Sequence, residues 1–396
     1  MRKLFLRRER RKGNFRVRRN RGRVVIFSKR DVDALRMICW CQYVFPRHLR
    51  GIITDIELEN LIHIGFVKHH VKSGSLVLTG KGSELVTEIF SQQVPALTKS
   101  YHNAAIQRRL RQSGMAATAY YGAVNIFSAS HKELSQSPSL FLSTITRRYE
   151  MNPWGNVRIA AIANLGGTLY AVHYVCPGIG KLALTDELTA FTNQTARFRD
   201  TRRAFIFAGE SYTDILTELE QTDKTNTKLI LYGDAYRSLQ LPVHLLSCND
   251  TGAVQLQIMA VPDYRKKLTQ AALKNQYQPP PKDVPVWDAL FQGLPFVMAA
   301  DMDLRRIDAA IRAAHGQGIK QIAVAALRGQ AETVLFPCYR DPGLARVFVL
   351  TDEAISEVTG RPPLPYLPPR TQFITPKGDV IDAPPFQTHG KTGRSH

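Results

Sequence analysis

From about residue 140 to residue 359, short apolar runs alternate with stretches of helical period, and this alternation limits the fold more than any other feature of the chain. Strands that alternate with helices bury themselves as a sheet with helices packed on it, so an α/β domain with a mixed, largely parallel sheet is expected. The spacing predicts strands at Val157–Ala163, Thr168–Val175, Ala204–Ala208, Lys228–Tyr232, Val243–Ser247, Ala253–Val261, Phe296–Ala300, Ile319–Ala325 and Thr333–Pro337. Helices are predicted at Asp186–Asn193, Tyr212–Gln221, Asp263–Leu273, Trp287–Phe291 and Leu304–His315. The order of strands does not follow from the pattern.

The charge is distributed unevenly. Lys and Arg number 53 against 33 Asp and Glu, a formal charge of +20. Residues 1–30 alone hold fourteen Lys or Arg against the single acid Glu9, a net +13. Within them Arg7, Arg8, Arg10, Arg11, Lys12, Arg16, Arg18, Arg19, Arg21 and Arg23 repel one another, so residues 1–27 read as a disordered basic arm. The short apolar stretch Val24–Phe27 is expected to form a first strand at the domain edge. Such an arm fits a polyanion better than an acidic metabolite: it releases counterions from DNA and can enter a minor groove, without conferring sequence preference.

Residues 28–92 read as a smaller α+β domain. Ser28 stands where an N-cap belongs, and Val32, Leu35, Ile38 and Cys39 recur at helical spacing through Tyr43. Pro46 breaks that helix, His48–Ile53 supplies a second, and Asp55 caps a third through Ile64, closed by Gly65. The period then changes to an alternating one over Phe66–Val71, followed by a turn and Leu76–Leu78, which predicts a hairpin. Thr79 caps the next helix, through Phe90.

Three helices, a hairpin and the phrase Leu78-Thr79-Gly80-Lys81-Gly82 resemble the winged-helix DNA-binding family. With a larger α/β domain behind it, and the phrase Gly167-Thr168-Leu169-Tyr170-Ala171-Val172-His173-Tyr174, the chain resembles the replication-relaxation family of plasmids and integrative elements. That resemblance implies a DNA-handling role in a bacterial mobile element and a degenerate restriction-endonuclease-like fold for the larger domain, without implying cleavage. One feature departs from the family: the third helix carries Asp55, Glu57 and Glu59 and no Lys or Arg, which suits a phosphate-lined groove poorly. Lys68, His69, His70, Lys72 and Lys81 on or beside the wing, with Arg47 and Arg50 on the second helix, are the better candidates for phosphate contacts.

Residues 93–139 connect the two domains through a helix over Leu97–Ala119, with Arg108, Arg109 and Arg111 on it, and a polar loop over Asn125–Ser139. Residues 360–396 are rich in proline and read as a tail without a fold of its own.

Catalytic chemistry finds little purchase. A nuclease of the implied fold needs an acid at one strand end and an acid-x-Lys on the next, and neither Val157–Ala163 nor Thr168–Val175 carries one; Glu150, Asp186 and Glu187 are the nearest acids. Asp301 and Asp303 sit between a strand and a helix, where they either cap the helix or meet a ligand at the sheet's C-terminal edge. Gly178 and Gly180 do not form a phosphate loop. His63, His69 and His70 with Cys39 and Cys41 do not make a metal cluster, because His69 and His70 point to opposite faces of one strand.

No catalytic residue, metal or cofactor is therefore assigned. Five cysteines, Cys39, Cys41, Cys176, Cys248 and Cys338, form no C-x-x-C pair, and no apolar run is long enough for a bilayer, so a cytoplasmic protein is expected. The expected partner is double-stranded DNA, with a protein of the replication or transfer machinery and a homodimer left open. A metal-dependent nuclease and a protein-interaction adaptor stand as alternatives to a non-catalytic DNA-binding protein.

Overall fold

Helices and mixed sheets both contribute, and the fold class is α/β. The computed structural model describes residues 17–18, 24–25, 27–90, 102–127, 136–145, 159–175, 191, 202–221, 231–363, 373–374 and 380–381. The chain divides into two units, Met1–Ile106 with Leu367–His396, and Gln107–Tyr366.

In the first unit β1 (Val17–Arg18) pairs antiparallel with β2 (Val24–Val25), so the basic arm contains a short hairpin. Ser28 then caps α1 (Lys29–Cys41) in a capping box: the Asp31 amide donates to Ser28 Oγ at 3.2 Å and the Ser28 amide to Asp31 Oδ2 at 2.8 Å. The expected stripe Val32, Leu35, Ile38 and Cys39 is buried, and Met37 and Trp40 are buried with it. Full burial contributes roughly 1.5–3 kcal/mol for each large apolar side chain, so α1 is the core of this unit. The expected second helix is only a 3-10 turn, Pro46–His48; Leu49, Ile52 and Ile53 are buried from a loop instead. The cap of α2 (Asp55–His63) is Thr54 rather than Asp55, because Glu57 returns to the Thr54 amide at 2.7 Å and completes a second capping box.

β3 (Val67–His69) and β4 (Leu76–Leu78) form an antiparallel hairpin with Lys68 opposite Val77, followed by α3 (Gly80–Phe90). The run between them is a structural joint. Thr79 Oγ1 donates to the Gly65 carbonyl at 2.7 Å and accepts from the Gly82 amide at 3.2 Å. Lys81 Nζ donates to the Ile64 carbonyl at 2.6 Å over the Phe66 ring, and any Cβ at Gly82 would collide with the Phe66 carbonyl. The tail is not wholly without structure, since Phe373–Ile374 pairs antiparallel with Val380–Ile381.

The second unit contains most of α4 (Asn103–Tyr121) and, among the described residues, two mixed sheets. One runs in the order β5 (Ser139–Leu142), β6 (Ala161–Leu165), β7 (Thr168–Tyr174), β8 (Arg202–Gly209), β9 (Val243–Ser247), with the last three strands parallel. Gly166 and Gly167, at φ of 54° and 82°, close the β6–β7 hairpin in a turn that demands left-handed backbone at both positions. Helices α5 (Tyr212–Glu220), α6 (Tyr232–Ser238), α7 (Asp250–Met259) and α8 (Tyr264–Leu273) follow. The second sheet runs β10 (Ala289–Phe291), β11 (Leu294–Met298), β12 (Ile322–Ala326), β13 (Ala345–Val349), parallel except for β10. Helix α9 (Leu304–Gly316) joins β11 to β12, a π-helix over Ala331–Arg340 precedes β13, and α10 (Asp352–Thr359) ends the unit. Phe205, Phe207 and Leu245 of the first sheet share a core with Val297, Ile307 and Val324.

In the second unit three expected elements are corrected. Where a strand is expected over Ala253–Val261, the chain is helical through Met259, because Asn249 caps α7 and the helix is buried on nearly all sides, which hides its period. Trp287–Phe291 gives the strand β10, held by pairing with β11. Thr333–Pro337 lies within the π-helix. β5 arises at the end of the supposed polar loop, and β13 and α10 were not foreseen. Apart from Phe191, the helix expected at Asp186–Asn193 lies outside the described residues, as does Lys228–Tyr232 apart from Leu231 and Tyr232; Tyr232 opens α6.

Candidate functional site

The arm cations Arg7, Arg8, Arg10, Arg11, Lys12, Arg16, Arg19, Arg21 and Arg23 lie outside the described residues; Arg18 lies in β1. On the first unit, Lys68 and His69 are exposed on β3, and Lys72 is exposed in the turn beside Val71, which is 99% exposed. Arg47 and Arg50 are also exposed, Arg47 with its guanidinium 4.9 Å from the Phe45 ring. His70 is only partly exposed, with Nδ1 2.9 Å from Ser73 Oγ and its ring edge-on to Tyr43. The Lys81 ammonium donates to the carbonyl of Ile64 at the C-terminal end of α2. The exposed face of α2 presents Asp55, Ile56 and Glu59, with Ile56 at 76% exposure, while Glu57 is held in the cap.

In the second unit the first turn of α8 and the starting ends of β7, β8 and β9 line a half-open cavity of about 300 Å³, bordered among others by Tyr170, Arg202, Arg203, His244, Arg265 and Lys266. Beside it lies Asp301, 1% exposed. Arg265 Nε donates to Asp301 Oδ2 at 2.6 Å, and the Tyr264 hydroxyl donates to the same oxygen at 2.5 Å. Arg265 also reaches Asp303 Oδ2 at 3.6 Å. Burial pushes the Asp301 carboxyl up, but the guanidinium of Arg265, with His244 and Arg306, outweighs it and holds this carboxyl well below the usual carboxylate range. Burial and the Asp301 charge raise the Tyr264 phenol, which stays protonated and donates.

The loop that presents Asp301 is fixed by its carbonyls. His244 Nδ1 lies 3.1 Å from the Asp301 carbonyl, and Gln255 Nε2 donates to that same oxygen at 3.0 Å. Gln330 Nε2 donates to the Ala300 carbonyl at 2.9 Å, and the Leu245 amide donates to the Met302 carbonyl at 3.1 Å. These bonds hold Met302 at φ 55°, a left-handed conformation that costs a side-chain-bearing residue about 1–3 kcal/mol. Asp303 caps α9, accepting from the Arg306 amide at 3.2 Å. The two acids of Asp301-Met302-Asp303 are thus divided: one caps, and the other anchors an ion pair.

Sequence spacing singled out Asp301 but missed Arg265, His244 and Tyr264. The only local signals were a Tyr-Arg-Lys run opening a helix and Arg202-Arg203 opening a strand. Glu150, Asp186 and Glu187 lie outside the described residues, and neither β6 nor β7 carries an acidic residue. Cys39 and Cys41 are buried in α1, whereas His63 and His69 are exposed. Among the described residues no group of three His, Cys, Asp or Glu is placed to hold a metal ion. Burial, then the Glu210 charge, pushes the Cys248 thiol up to about 12, which makes it a poor nucleophile. Among the described residues no helix is long and apolar enough to cross a membrane. Set against known proteins, the chain matches no family model, no curated protein and no solved structure.

Proposed function

We propose that this chain is a DNA-binding accessory or regulatory protein that grips duplex phosphates with its basic arm and the hairpin of its first unit. The observation that carries this reading is the net +13 of residues 1–30, at the start of a unit whose hairpin exposes Lys68 and Lys72. Lys and Arg at such density displace condensed counterions, and affinity then falls steeply with salt. The helix, helix, hairpin, helix order of the first unit supports the winged-helix resemblance. In this reading the hairpin and arm meet the DNA, whereas α2 does not enter the groove, because Asp55 and Glu59 on its exposed face would oppose the phosphates. That face, with Ile56 at its centre, is left for a protein partner. The resemblance to the replication-relaxation family extends the proposal to a cytoplasmic role in replication, transfer or transcription control of a bacterial mobile element.

A gel-shift salt series with the full chain and with a version lacking residues 1–27 tests the reading. The truncated protein is expected to bind duplex DNA much more weakly and with a flatter salt slope. Equal slopes would refute the role given to the arm.

A further inference from the structure

We infer that two copies of this chain join through β13, whose open edges pair antiparallel about Val347 so that one sheet runs through both copies. This interface is independent of the DNA contacts proposed for the first unit.

The fold covers the other sheet edges and leaves this one. The two sheets described in the second unit end in β5, β9, β10 and β13. Asn125 meets β5: its amide donates to the Pro138 carbonyl at 3.1 Å, and its carbonyl accepts from the Leu140 amide at 2.8 Å. The Leu245 amide of β9 donates to the Met302 carbonyl at 3.1 Å, and the Leu290 amide of β10 to the Gln278 carbonyl at 2.9 Å. Among the described residues nothing pairs with the outer edge of β13 in this way. Such an edge presents a row of amides and carbonyls as a template for another strand.

The parity of the ladder identifies those groups. The Ile322 amide donates to the Leu344 carbonyl at 3.3 Å, and the Leu350 amide donates to the Ala326 carbonyl at 2.9 Å. Residues 344, 346, 348 and 350 therefore face β12, and the backbone groups of Ala345, Val347 and Val349 face outward. A two-fold axis through Val347 sets that residue opposite its own copy and Ala345 opposite the second Val349, each as a hydrogen-bonded pair.

The side chains say why the occupant is a second copy. Arg346 and Phe348 share one face of β13 and both are exposed. Phe348 is 39% exposed, with its ring edge-on to Phe291 at 5.5 Å, and among the described residues of the second unit it is the large apolar side chain left outside the core. In the register about Val347, Arg346 of each copy stands directly opposite Phe348 of the other. That pair is not hydrogen-bonded, so its Cα atoms approach to about 4.5 Å and its side chains touch. The guanidinium then lies on the ring, and no like charges meet. An edge arginine ordinarily discourages strand pairing; here it complements the exposed ring. Centring the pair on Arg346 instead would oppose two guanidiniums and call on backbone groups that β12 already uses.

Sedimentation velocity of the full chain over a concentration series tests this, in high salt so that nucleic acid held by the arm is released. Phe348→Lys sets a lysine against Arg346 of the other copy, and Arg346→Glu/Phe348→Lys restores complementary pairs. We expect a dimer in the natural chain, a dissociation constant about tenfold or more higher in Phe348→Lys, and recovery in the double variant. Circular dichroism confirms that each variant is folded. Disulfide trapping in a Cys338→Ser background checks the register separately. Val347→Cys is expected to cross-link under mild oxidation, because its Cα lies about 5.5 Å from its copy. Val349→Cys is expected not to, its copy being roughly 13 Å away along the strands. A monomeric natural chain, dimerisation of Phe348→Lys as strong as the natural chain's, a double variant no stronger than Phe348→Lys, or equal trapping at the two positions would overturn the inference. None of these results bears on duplex binding through the arm, so the two proposals fail separately.

Discussion

The buried Asp301 carboxylate and the partly exposed Arg265 guanidinium form an ion pair, 2.6 Å from Nε to Oδ2, that ties the start of α8 to the loop after β11. The two residues come from different segments of the chain and meet beside the cavity, with Tyr264 donating to the same oxygen.

Arg265→Met strands the Asp301 charge, and the expected loss of stability is about 3–5 kcal/mol in urea unfolding. The double variant Arg265→Met/Asp301→Leu removes both charges and is expected to cost less than Arg265→Met alone. Near-neutral behaviour of the single variant would show that the pair does not fix this loop.

Lys81 and Lys72 carry the same charge at different addresses. Lys81→Ala leaves the end of α2 without its ammonium donor and is expected to cost about 1.5–3 kcal/mol, with little change in the salt slope of DNA binding. Lys72→Ala is expected to leave stability within about 0.5 kcal/mol while lowering the salt slope by about 1. Thermal unfolding together with a salt titration of each variant separates the two roles, and the opposite assignment of effects would overturn them.

His48 gives the first unit a pH response. Burial, assisted by Arg47, lowers its imidazole from 6.5 to about 4. Between those values the unfolded chain takes up a proton that the folded chain refuses, so the stability is fully present above 6.5 and is lost as pH falls toward 4. Asp301 acts in a more acidic window, since its contribution is present above the ordinary carboxyl value of 3.8 and is lost as pH falls toward its lowered folded value. Hydrogen-exchange protection of the α1 amides, corrected for intrinsic rates, is expected to weaken through the His48 window in the natural chain and to change less in His48→Gln. Equal changes in both proteins would contradict this.

Local signals were legible wherever a residue's neighbours in sequence were also its partners in space. Ser28 announced α1 because its capping partner is Asp31, three residues on, and Val243–Ser247 was apolar, short and bounded by breakers. The α7 run Val254-Gln255-Leu256-Gln257-Ile258 alternates like a strand, but Gln255 and Gln257 are buried and hydrogen-bonded rather than solvent-facing, so the alternation does not mark an outer face. β10 has only three residues and exists through its pairing with β11. The cavity was beyond the sequence for the same reason: Asp301 stood out beside Asp303, whereas His244 and Arg265 reach it only through tertiary packing.

The central claim is that a dense cationic arm and the hairpin that follows it in the first unit bind duplex phosphate. Anisotropy of a labelled duplex, titrated with the full chain at low ionic strength and then across a salt series, tests it most directly. The account predicts tight binding whose log affinity falls linearly with log salt, by about 0.9 for each phosphate neutralised. A correctly folded full-length protein that leaves the duplex unbound at low ionic strength would contradict it.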